Sequence, residues 1–151
     1  MLIDIEKVAG RLRQLIKGYL LRFGRAHIGL YRFQNVATQD WATYLAVVNI
    51  TLNREGMRPA HIWLREGDDV LLLLCVNGYF RTNLNDVTDI LMRLWSRRTP
   101  GSIPTLIDAG AADATNAEQA IWRLYQTIGR FTFVQPHAYR KHGFGSSMVC
   151  G

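Results

Sequence analysis

At 151 residues, with 48% hydrophobic and 20% charged side chains, the chain has the size and apolar content of one globular domain with a buried core. Its apolar runs fall short of the roughly 20 residues that cross a bilayer, and Asp4, Glu6 and Lys7 break up the start in a way no signal peptide does, so a cytoplasmic protein with no membrane partner is expected. The net charge of +6 is unevenly placed: no acidic residue stands between Glu6 and Asp40, where Lys7, Arg11, Arg13, Lys17, Arg22, Arg25 and Arg32 fall, or after Glu118, where Arg123, Arg130, Arg140 and Lys141 fall.

In chain order, Ile5, Val8, Leu12, Leu15, Ile16 and Tyr19 recur at three and four, which predicts a basic amphipathic helix within residues 1–24. Ile28, Leu30, Tyr31 and Phe33 predict a strand over 26–33. Thr38 suits the cap of a second helix, with Asp40 in its positive first turn and Trp41, Leu45, Val48 and Leu52 facing inward. Apolar runs at 61–64 and 70–76 flank Gly67-Asp68-Asp69, the composition of a hairpin turn. Val70 and the four leucines after it exceed the alternation of a half-wet strand, so that strand should be central and covered on both faces.

Asn85 suits the cap of a third helix with Val87, Ile90, Leu91 and Leu94 as its stripe, stopped by Pro100-Gly101. Residues 102–108 read as a short strand and 109–114 as a loop. Thr115-Asn116-Ala117-Glu118 reads as a capping box for a last helix to Ile128, with Gly129 as its natural C′ residue. Residues 135–151 read as a flexible basic tail. The order β-α-β-β-α-β, with extra helices at both ends, predicts a single α+β domain of the ferredoxin-like or RRM type, one antiparallel sheet with helices on one face.

The charge placement favours a polyanion partner, because cationic fields concentrate phosphate backbones without regard to sequence. The candidate nucleic-acid-binding residues are Arg11, Lys17 and Arg22 from the first helix, Arg123, Tyr125 and Arg130 from the last, and Tyr139, Arg140, Lys141 and Ser146 beyond it. Guanidiniums fork onto phosphate oxygens and exposed tyrosines stack on unpaired bases. The glycines around Phe144 would let backbone N–H groups near Ser146 approach a phosphate. Cys75 and Cys150 have no disulfide or zinc spacing, and His137 and His142 lie five apart with no Cys, Asp or Glu nearby, so no cofactor or metal is expected. His27 and His61 read as structural histidines, and Asp68 and Asp69 as turn residues.

Asn77-Gly78 after an apolar strand, the aromatic pair Tyr79-Phe80, a helix ending in Leu94-Trp95 and the late Phe144-Gly145-Ser146-Ser147 together resemble the filamentous-phage (inovirus) replication-protein family, which prophages and satellites also carry as a C-terminal domain. The resemblance runs from about Ala26 to Ser147. It implies kinship with rolling-circle initiators, which hold a divalent metal on a His-hydrophobic-His strand and attack DNA with a tyrosine. Aligned on Asn77-Gly78, the two histidine positions fall on Asp69 and Leu71, and the tyrosine position falls near Gly129 to Phe131, where no Tyr stands. Tyr125 and Tyr139 are the nearest.

The expected function is therefore a catalytically degenerate, initiator-like DNA-binding protein of a phage, satellite or plasmid, engaging single-stranded or duplex DNA. One alternative is an interaction protein that binds a host replication or defence protein through an exposed sheet or the first helix, with Trp63 or Tyr79 as anchor. Another is a nicking enzyme using Tyr125 or Tyr139 with Asp69.

Overall fold

A computed structural model describes residues 3–78, 83–131 and 133–135. The elements are β1 (Ile3–Asp4), α1 (Ile5–Phe23), β2 (Arg25–Phe33), α2 (Thr38–Arg54), β3 (Ala60–Glu66), β4 (Asp69–Val76), α3 (Leu84–Arg98), β5 (Thr105–Asp113), α4 (Ala117–Ile128) and β6 (Val134–Gln135). Four strands form an antiparallel sheet in the order β3-β4-β2-β5, and β1 pairs with β6 in a separate two-stranded parallel ladder. No described helix is long and apolar enough to cross a membrane.

The β3–β4 hairpin turns at Gly67, whose φ of 62° is a conformation that side-chain-bearing residues avoid. Arg65 donates to the carbonyls of Gly67 and Val36 at 2.7 and 3.0 Å, which ties the turn to the chain before α2. Strand β4 is central and wholly apolar after Asp69. Because side chains alternate across a strand, Val70, Leu72, Leu74 and Val76 face one layer while Leu71, Leu73 and Cys75 face the other.

Both layers are helical. Helices α2 and α3 cover the first, around Phe33, Trp41, Tyr44 and Trp95, whose rings meet edge to face or tilted at 4.9 to 6.3 Å. Three of the buried rings have their polar ends satisfied: Tyr44 donates to the Leu91 carbonyl at 2.8 Å, Trp95 to Ser102 Oγ at 3.1 Å, and Tyr31 shares a hydrogen bond with Thr88 at 2.7 Å, whereas Trp41 Nε1 is buried without a partner among the described residues. Helices α1 and α4 cover the second layer, where Ile5, Val8, Leu12 and Ile16 of α1 and Ile121, Leu124 and Ile128 of α4 pack onto Ile28, Leu30, Leu71 and Leu73. Burial of each such side chain contributes about 1.5 to 3 kcal/mol.

Several local expectations are corrected. Helices lie on both faces of the sheet, because the stripes of the two terminal helices need an apolar partner and β4 presents one on each side. Residues through Asp113 belong to β5, paired to β2 from Arg25↔Asp113 onward, so 109–113 is strand and not loop. Thr38 is already helical and the N-cap is Ala37, without a side-chain bond. Asn83, extended, caps α3 by accepting from Asn85 N–H at 2.9 Å. At α4 the N-cap is Asn116 and no capping box forms: Asp113 accepts from Thr115 N–H, and Asn116 Oδ1 accepts from Asp113 N–H, both at 2.8 Å. Gly129 does follow the last residue of α4, with a right-handed φ of −63°.

Candidate nucleic-acid interface

Helices α1 and α4 lie side by side, joined at Glu118 in the first turn of α4, which accepts from Arg13 at 3.0 and 3.3 Å and is bridged by Lys17. Its carboxyl is held below the usual carboxylate range, chiefly by the Lys17 hydrogen bond. The flank of α1 that carries Lys17 thus faces α4. On the other flank Leu15, Gly18 and Arg22 line a recess of about 410 Å³ with Arg58 and Pro59 at the start of β3. Arg11, exposed and four residues before Leu15, belongs to that flank too. The cations expected to act together from α1 are therefore divided, Lys17 toward α4 and Arg11 and Arg22 away from it. Arg22 also lies over the Phe23 ring, 5.0 Å from its centroid.

The β5 side of α4 gathers charge differently. Arg123 lies along the sheet and donates from Nε to Asp108 Oδ2 at 3.0 Å. It occupies the space left by Gly110, where a Cβ would stand 2.7 Å from Arg123 Nη2. The β2–β5 register shifts between Leu30 and Tyr31, which leaves Ile107 as an extra residue on β5 beside Asp108. One strand over, Arg32 sits 3.4 Å from Asp69 and 5.4 Å above the Phe131 ring. Arg130 follows α4, exposed and without an ion pair among the described residues. Together Arg32, Ile107, Asp108, Arg123, Arg130 and Phe131 surround a cleft of about 620 Å³.

On its outer side α4 displays Trp122, 54% exposed and stacked on half-buried Tyr125 at 5.7 Å and 20°. Tyr125 is thus an intermediate case, one face against the core and one against an exposed indole. Of the other candidates, Tyr139, Arg140, Lys141 and Ser146 lie outside the described residues, as do His137, His142, Cys150, Tyr79 and Phe80. Among the described residues no three His, Cys, Asp or Glu side chains converge.

The two positions aligned with metal-binding histidines have other occupations. Asp69 opens β4 and is paired with Arg32, and Leu71 is 1% exposed beneath the α1 and α4 layer. Compared with protein-family models, curated proteins and solved structures, the chain has no match.

Sequence reasoning passed over Arg32, Asp108 and Trp122 as site residues. Trp122 was detectable, since it lies off the stripe of Ile121, Leu124 and Ile128 and three residues before Tyr125. Arg32 was counted only as charge. Its company depends on where Phe131 and Arg123 arrive from the far end of the chain.

Proposed function

We propose that this chain is a non-catalytic, replication-initiator-like domain that binds DNA by neutralising backbone phosphates along α4 and the adjoining sheet end. The observation that carries the reading is the cleft at the end of α4, where Arg123 of α4 and Arg130 just beyond it meet Arg32 of β2. Cationic forks on one flank of α4 and a stacked aromatic pair on another match what an extended strand offers, phosphates at regular intervals and bases with open faces. The antiparallel order β3-β4-β2-β5, with α2 and α3 as crossovers, supports the ferredoxin-like or RRM-type reading of the fold. Helices α1 and α4 are then additions over the second face, and an origin in a phage, satellite or plasmid fits the short motifs that resemble inovirus replication proteins. Asp69 held by Arg32 and Leu71 packed in the core support a loss of the metal-dependent step.

Anisotropy of labelled oligonucleotides, single-stranded and duplex, titrated at several salt concentrations, tests this. Binding whose logarithm falls linearly with log salt, with a slope near 0.7 to 0.9 per phosphate contacted, is expected. Absence of binding at about 50 mM salt refutes it.

A protein-interaction role has one observation in its favour: Leu21, 90% exposed, borders a recess of about 610 Å³ between α1 and the start of α4. The central strands β2 and β4 of the sheet envisaged for such a role are covered on both faces, and Trp63 is half-buried, 5.9 Å from Trp41.

A further inference from the structure

We propose that the cleft between β2, β5 and the end of α4 is a dedicated seat for one phosphodiester of a nucleic-acid strand, held by Arg32, Arg123 and Arg130; the assignment rests on the DNA-binding reading and gives that reading its anchoring point. Arg123 is pinned through Nε by Asp108 and lies over Gly110, which fixes its guanidinium plane and leaves its Nη edge for a second acceptor. Arg32 rests on the face of Phe131 and pairs with Asp69 at 3.4 Å, longer than the 2.7 to 2.9 Å of a strong charged pair, so the guanidinium keeps capacity for a second acceptor. Its Nε is buried with no hydrogen-bond partner among the described residues, a cost the fold bears to keep the guanidinium in this place.

Charge identifies the class of ligand. Asp69 and Asp108 balance Arg32 and Arg123, which leaves Arg130 as surplus, one positive charge for the cleft as a whole. An internal phosphodiester carries one negative charge and neutralises that surplus, whereas a phosphate monoester near its dianionic form overshoots it.

The test compares Arg130→Gln with Arg97→Gln, an exposed arginine in the last turn of α3 whose loss changes net charge equally. Arg130→Gln should weaken binding of a 12-nucleotide strand by about tenfold, and Arg97→Gln by less than about twofold. Gly110→Ala, which displaces the Arg123 guanidinium without removing charge, should also weaken it. In the wild type, the thymidine dinucleotide with one internal phosphodiester should shift the Nε–H signals of Arg32 and Arg123 saturably in NMR spectra, and inorganic phosphate should do so more weakly. Equal losses in the two charge variants, or strand binding without shifts in the cleft, overturns the assignment and leaves the broader DNA-binding reading standing. Shifts with inorganic phosphate but none with the dinucleotide also overturn it. No binding of any strand by the wild type refutes both.

Discussion

Replacing Leu71 with histidine tests how the α1 and α4 layer closes the sheet. The side chain is 1% exposed, between Leu64 and Arg32 on the neighbouring strands. Histidine has nearly the same bulk, so little cavity forms, but the transfer free energy of a buried leucine, about 2 to 3 kcal/mol, is lost. The imidazole must also be desolvated under apolar helices with no acceptor provided for it, which costs about another 1 to 3 kcal/mol. Arg32 opposite disfavours protonation. The sum, roughly 3 to 6 kcal/mol, is a large part of the 5 to 15 kcal/mol typical of a domain. Urea unfolding followed by tryptophan fluorescence should show a lower midpoint with an unchanged slope, and added Mn²⁺ should not restore it. A variant within about 1 kcal/mol of wild type, or one stabilised by Mn²⁺, would show that solvent and metal reach this strand and would refute the account of a sealed face.

Three further outcomes are expected. Glu118→Gln should free Arg13 and Lys17, steepening the salt dependence of DNA binding by about 1 to 2 in slope; an unchanged slope would mean that this side of α1 does not meet the strand. Trp122→Ala should weaken single strands by roughly fivefold or more while leaving duplex binding nearly unaffected, measured by anisotropy, since only unpaired bases offer a face to stack. Burial lowers the pKa of His61 from its ordinary 6.5, so the unfolded chain takes up the proton first. The stability this contributes is complete above pH 6.5 and is lost as pH falls through the folded value. Urea midpoints should therefore decline below pH 6.5 in the wild type, and less in His61→Gln.

Strand β4 was legible because consecutive Val70, Leu71, Leu72, Leu73 and Leu74, bounded by Gly67-Asp68 before and Asn77-Gly78 after, fit a short strand buried on both sides. The same fact required cover for both faces, and among the described elements α1 and α4, with their apolar stripes, provide it on the second. Half of β5 was hidden because Ala109-Gly110-Ala111-Ala112 has weak strand propensity; the edge of β2 recruits it through backbone hydrogen bonds. The helix caps were misplaced by a few residues wherever several polar side chains stood in a row, as at Asn83 and Asn85 or Asp113, Thr115 and Asn116, where the choice depends on which residue is extended. The basic cleft could not be read at all, since Arg32, Asp108 and Arg130 are far apart along the chain and only the β2–β5 pairing and the landing of α4 bring them together.

The central position of β2 also dictates how the molecule assembles. Its amides find partners only after the distant β4 and β5 segments have docked, so loop closure precedes most of the reward and folding should be slow for a chain this size. Exchange of β2 amides with deuterium then requires global opening. The clasp between β1 and β6 is two residues long on each side and can release by itself, so its amides should exchange through local fraying while the sheet beneath remains intact.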